Sequence, residues 1–167
     1  ILPNEIFSGK NDIFSKAYSP NVIRFFFLQA HYRNELDISE SSLEASEKGF
    51  LRLIEIIDRL QNIKPIEKSN KELMSLIKSW EKRCLECLND DFNTPMLIAE
   101  IFNSSKIIND IEIKNEIGQR EKDYFLNLFD TFLNKLLGLS YKKSNSNNDS
   151  ILEVLKEVRD EARLNKN

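Results

Sequence analysis

The chain has 167 residues, 41% hydrophobic and 31% charged, with a net charge of −3 and a pI near 5.4. That suffices for one domain with a real core, is too apolar for a disordered chain, and is too acidic for a general nucleic-acid binder, though not for a local basic patch that reads one RNA. No apolar run approaches the ~20 residues of a membrane span, no signal peptide is visible, and the two cysteines fit a reducing compartment, the cytoplasm.

Pro3 suits the first turn of a short helix over 3–8, stopped by Gly9, and residues 12–17 have room for another turn or two. Ser19 reads as a cap and Pro20 as the first position of a helix to about Tyr32. Its apolar residues, Val22, Ile23, Phe25, Phe26, Phe27 and Leu28, lie on every side, so burial is expected. The next helix begins near Ser41, where Ser41-x-x-Glu44 is a capping box. It carries Leu43, Phe50, Leu53, Ile54, Ile57 and Leu60 as a core stripe and ends before Pro65. Ser69-x-x-Glu72 opens a third helix with the stripe Leu73, Ile77, Trp80, Cys84 and Cys87. Thr94-Pro95 opens a fourth, with Leu97, Ile98, Ile101, Phe102 and Ile108 inward. Asp90, Asp91 and Asn93 supply acceptors for its first turn and complement its dipole. The fifth runs from about Gln119 to Leu137 and ends at Gly138. Ser140 to Ser150 is polar linker, after which Ser150-x-x-Glu153 caps a last helix to about Leu164. The pattern predicts an all-α, up-and-down bundle of about five long helices with short N-terminal helical turns.

Residues that could carry chemistry are few. The four glycines are scattered, so no phosphate-cradling loop is present. Cys84-x-x-Cys87 lacks partners for a four-ligand zinc site and falls on the apolar stripe with Trp80, so it reads as core. Arg24 is the one charge in its helix and is expected to be buried, locked by an ion pair to a neighbouring element, or else to touch RNA. His31, Tyr32 and Arg33 close that helix, with Arg33 placed to complement the dipole. Three basic stripes follow: Lys48, Arg52 and Arg59; Lys71, Lys78 and Lys82; and Lys156, Arg159 and Arg163. Each is interleaved with acids at helix-pairing distance, so solvated faces are the default reading.

Two segments carry a resemblance. Tyr18-Ser19-Pro20-Asn21-Val22-Ile23-Arg24-Phe25-Phe26-Phe27-Leu28-Gln29-Ala30-His31-Tyr32-Arg33 and Asn89-Asp90-Asp91-Phe92-Asn93-Thr94-Pro95 resemble the helical domain that follows the catalytic domain in cysteinyl-tRNA synthetases, class I enzymes. Ser19 stands where that family usually has Asp, and Ile23 where it usually has Leu; both suit the same structural jobs. The resemblance implies a parent ligase that joins cysteine to its tRNA in two ATP-dependent steps. It places ATP and zinc in a catalytic domain outside this chain and leaves no cofactor and no catalytic residue here, because one histidine cannot supply the family's His-x-Gly-His motif and the Lys-Met-Ser-Lys-Ser loop is absent.

It further implies that residues 1–18 end a stem-contact region, 19–139 form the bundle, 140–149 link, and 150–167 begin a truncated extension. The start at Ile1 and the stop at Asn167 lead to the same expectation, a piece of a larger protein. The partners implied are the tRNA for cysteine and the catalytic domain. The tRNA-contact candidates are His31, Tyr32, Arg33, Lys48, Arg52, Arg59, Lys78, Lys82, Arg159 and Arg163, with Arg24, Asp90, Asp91, Asn93 and Thr94 as structural residues. Apolar surface left by the absent catalytic part is expected around Ile1, Phe7, Phe14 and the Pro20 helix. The alternative is a stand-alone helical module that binds a protein partner.

Overall fold

A computed structural model describes residues 3–9 and 14–141. The expected last helix, with Lys156, Arg159 and Arg163, and most of the expected linker lie outside the described residues.

The short helix α1 (Pro3–Ser8) ends at Gly9, whose φ of +65° places it in the left-handed region. A β-carbon there would meet Ala17 N at 2.6 Å, so only glycine fits. Of the expected second turn over 12–17, the described residues 14–17 form no helix and bend at Ser15 and Lys16. Tyr18 instead donates its N–H to the Ile6 carbonyl at 3.2 Å.

In α2 (Pro20–Leu28), Ser19 Oγ accepts the Val22 N–H at 3.3 Å, as its cap position requires. The helix stops four residues before Tyr32. Gln29 and Ala30 turn their N–H groups to carbonyls three residues back, the tightening of a frayed last turn. Burial is one-sided: Val22, Ile23, Phe25 and Phe26 face inward, while Arg24 is exposed and Phe27 is 50% exposed. The expected buried ion pair of Arg24 is therefore corrected. Its Nη1 donates to the Gly138 carbonyl at 2.6 Å, a neutral acceptor reachable from the surface.

The long helix α3 (Glu40–Asn62) starts two residues earlier than expected. Ser39, not Ser41, is the cap, reciprocally bonded with Ser42. This register sets Ile38 and Leu43 on either side of the cap, both against the core, in the manner of a hydrophobic staple. Likewise Asn70, not Ser69, caps α4 (Lys71–Asn89), taking the Leu73 N–H at 3.1 Å. Asn93 caps α5 (Thr94–Lys114), which Asn115 closes in the left-handed region. The expected fifth helix divides into α6 (Gln119–Phe129) and a π-helix (Asp130–Leu136). There the adjacent Phe132 and Leu133 are both buried.

Consecutive pairs α2–α3 and α4–α5 pack together, and α3 also meets α5 and α6, so the all-α bundle is as expected. Trp80 lies at the centre, fully buried, with Phe125, Phe129 and Phe132 around it at ring separations of 5.2 to 5.9 Å. Its indole N–H donates to the Glu100 carbonyl at 2.8 Å. Phe14, expected at the surface, is buried edge-on to Tyr18. The packing continues past Gly138: Leu139 and Tyr141 are buried, and Asn21 Nδ2 donates to the Ser140 carbonyl at 2.9 Å.

Ser69 has a different task from capping. Its hydroxyl donates at 2.5 Å to Glu121, a carboxylate only 1% exposed. Burial opposes ionisation of Glu121, but the Ser69 hydrogen bond, the nearby backbone N–H groups of Glu121 and Asn70 and the charge of Arg120 outweigh it and hold the carboxyl below its ordinary value, although Oε2 has no hydrogen-bond partner. A lowered folded pKa adds stability that is present above the unfolded value of about 4.3 and is lost as pH falls through the folded value. Urea unfolding of Glu121→Gln at pH 7, 5, 4 and 3 is expected to show the wild type's advantage intact above about pH 5 and shrinking below pH 4. A difference constant with pH would contradict this account. Gly138 also has φ +65°, and a β-carbon there would strike Arg24 Nη1. Gly138→Ala is expected to lower stability by about 1–3 kcal/mol in the same assay.

Candidate nucleic-acid interface

The two signature segments meet in space. After α4, the chain passes through Asp91 and Phe92, both with positive φ (51° and 55°), before Asn93 caps α5. The Phe92 N–H returns to the Leu88 carbonyl at 3.1 Å and the Asn93 N–H to the Cys87 carbonyl at 3.0 Å, which satisfies the end of α4. Asp90 accepts from Asn93 Nδ2 at 3.1 Å. This double left-handed knuckle turns Asp91 outward, toward the segment leaving α2.

Three consecutive residues converge on that carboxylate. Tyr32 Oη donates to Asp91 Oδ1 at 2.9 Å, Arg33 Nη2 pairs with Oδ2 at 2.9 Å, and His31 Nε2 lies 3.8 Å from Oδ2. Arg33 Nε also donates to Tyr32 Oη at 3.0 Å. The Tyr32 ring stacks on His31 at 4.7 Å, and the Arg33 guanidinium sits 5.4 Å from its centroid. Tyr32 is 65% exposed, yet its ring and hydroxyl are both engaged within the chain. Arg33 is held charged more firmly than usual, first by the Tyr32 hydroxyl and then by Asp91. The arrangement is a surface clasp between the α2 exit and the α4–α5 knuckle, with the Arg33 side chain still largely in solvent.

The remaining described candidates differ in availability. Lys48, Arg52 and Lys78 are exposed and form no ion pair among the described residues. Lys82 is exposed, 3.7 Å from Glu86 one turn on, a weak surface pair. Arg59 is tied down: Nε and Nη2 chelate Glu112, and Nη2 reaches Asn109 Oδ1 at 2.5 Å. Thr94 is buried at the start of α5. Periodicity alone could not separate Arg59 from Arg52, because the partner of Arg59 comes from another helix 53 residues on.

Cys84 and Cys87 do not resemble metal ligands here. Cys84 is fully buried beside Trp80's helix face, and burial pushes its thiol up to about 12. Among the described residues no group of three His, Cys, Asp or Glu side chains is arranged to hold a metal ion, and no helix is long and apolar enough to cross a membrane.

Residues 83–142 match the model of the DALR domain. Over 99% of its length the chain is 38% identical to the cysteine–tRNA ligase of Bacteroides fragilis and 37% identical to that of Bacteroides thetaiotaomicron. Over 96% it is 36% identical to the cysteine–tRNA ligase of Chlorobaculum tepidum. Each match covers 34% of the relative, so the chain spans about a third of the length of the curated relatives it matches. The resemblance carried by the two signatures thus extends along the whole chain.

The clasp can be opened at its hydroxyl or at its carboxylate. Tyr32→Phe, which removes a hydroxyl bonded to both Asp91 and Arg33 on an exposed side chain, is expected to cost about 1 kcal/mol or less. Asp91→Asn, which keeps a residue tolerant of positive φ, is expected to weaken the clasp at low ionic strength and to match wild type more closely at 1 M salt. Urea melts at two salt concentrations test both; a salt-independent Asp91→Asn effect would mean that the ion pair adds nothing.

Proposed function

We propose that this chain is the helical, tRNA-side portion of a cysteine–tRNA ligase, whose whole enzyme attaches cysteine to its tRNA with ATP. The observation that carries this reading is the alignment of 99% of the chain with a third of such ligases, combined with closure of its two signature segments on one carboxylate, Asp91.

In this reading the segment does no chemistry. It is a rigid spacer that holds RNA by phosphate and sugar contacts, which fix register and orientation rather than read sequence. The exposed cations are the groups for that task, and each phosphate they neutralise adds affinity that salt removes. The clasp sets the angle at which the α2 exit leaves the bundle. The same rigidity makes the segment a brace against the catalytic body. Phe27, one turn along from Arg24, and Leu136, two residues before Gly138, are half-exposed apolar groups on either side of the Arg24–Gly138 bond. The catalytic body would cover them and Phe7. ATP and zinc belong with that body: the described residues offer neither a phosphate-cradling loop nor a thiolate pair free of the core.

The test is binding of the chain to a tRNA transcript for cysteine and to a non-cognate transcript at 50 and 200 mM salt, with cysteinylation assayed alongside. Weak binding that falls at least tenfold with salt, and no cysteinylation, is the expected result. Cysteinylation by the chain alone, or no binding of either transcript at low salt, would overturn the reading.

A further inference from the structure

Between the first turns of α4 and α6 lies an open groove of about 380 Å3. Its walls carry Lys71, Ser75 and Lys78 from α4 and Arg120 from α6; Ser69 and Glu121 lie at the end where the two helices begin. The three cations are exposed, and none forms an ion pair among the described residues. In a chain of net charge −3, three unpaired cations facing one groove are a local reversal of sign. Glu121 stands buried in the wall with one carboxylate oxygen bonded to Ser69 and Oε2 without a hydrogen-bond partner, and Glu72 and Glu116 line the adjoining hollow with Lys71. Glu81, one turn beyond Lys78, accepts the Tyr124 hydroxyl at 2.6 Å.

The competing groove, between α3 and α5, is larger, but its two cations, Arg52 and Arg59, both come from the α3 wall, Arg59 is chelated by Glu112, and Glu55 stands beside them. The groove between α4 and α5 is lined by Glu72, Asp110 and Glu116 against one cation, Lys114. Neither suits an anion. In the α4–α6 groove, Lys71 and Lys78 stand two turns apart on one wall, roughly 10 Å along the axis. Lys82 continues the line a turn further, held only by its surface pair with Glu86. Arg120 faces this line from the other wall with a planar fork suited to a phosphate. Cations on both walls of a concave groove grip a backbone; a flat acidic protein face would meet them less well.

We propose that the α4–α6 groove, through Lys71, Lys78 and Arg120, is the seat of an RNA phosphate backbone on this chain. The inference rests on the tRNA-side reading above and names the surface that performs it. It adds Lys71 and Arg120 to the contact set and sets Arg59 outside it.

The test uses the full 167-residue chain and the cysteine tRNA transcript, with binding followed by fluorescence anisotropy between 50 and 300 mM salt. Lys71→Ala/Lys78→Ala/Arg120→Ala is compared with Lys64→Ala/Lys106→Ala/Lys114→Ala, an equal loss of charge at exposed residues outside the contact set. The groove variant is expected to bind at least tenfold more weakly and to lower the slope of log affinity against log salt by about 2–3, near 0.9 per lost phosphate contact. The control should change the slope by less than 1. Thermal melts check that both variants remain folded. Wild-type binding with equal effects of the two variants would overturn the groove while leaving the tRNA-side reading standing. No wild-type binding would remove that reading and the groove with it. Binding of polyglutamate, but not RNA, that is lost in the groove variant would reassign the surface to an acidic protein partner.

Discussion

The bundle is organised around the Trp80 indole. A side chain of that size, fully enclosed, must fill its space and also satisfy one N–H in a low-dielectric interior, where an unpaired donor costs about 1–3 kcal/mol. The Glu100 carbonyl of α5 provides the acceptor, and Phe125, Phe129 and Phe132 provide the walls. One residue of α4 thereby fixes the positions of α5, α6 and the π-helix. The edge-on and tilted ring contacts add directionality that aliphatic packing lacks. What reaches the surface is a consequence: with α4 and α6 held at this spacing, their first turns stand apart as a groove, and the α4–α5 knuckle faces the exit of α2.

Much of the fold was legible in the chain because helical periodicity and start and stop residues agree. Pro20, Asn93, Thr94-Pro95 and Gly138 all act where the sequence puts them. The misreadings are local and share a cause. Ser41-x-x-Glu44 and Ser69-x-x-Glu72 both fit the capping box, but their neighbours Ser39 and Asn70 are equally good N-cap residues, and tertiary contacts chose between them. Ile38 packing set the register at Ser39, and Glu121, 52 residues away, claimed the Ser69 hydroxyl. The end of α2 was overread because Ala30, His31 and Tyr32 are compatible with a helix, whereas the pull of Asp91 comes from 59 residues on.

The site was less legible than the fold. That His31-Tyr32-Arg33 and Asn89-Asp90-Asp91 each matter can be read from the chain; that they matter to each other cannot, because no local pattern encodes a contact between exposed residues. The burial assigned to Arg24 failed for a related reason. A charge amid apolar residues suggests a buried pair, but helix geometry let it sit on the one outward stripe beside Phe27, where a backbone carbonyl suffices.

The Arg24–Gly138 bond spans 114 residues of sequence, and this bears on the order in which the chain can assemble. Helices α2 and α3 are neighbours in both sequence and space and can pair early on the ribosome. Their outer face stays without its polar tie until the turn at Gly138 has emerged. Contacts of such separation close late, because the loop entropy must be overcome before they contribute. The first signature segment therefore emerges 114 residues before this tie can form, and its half-exposed Phe27 is open to unintended association in the interval.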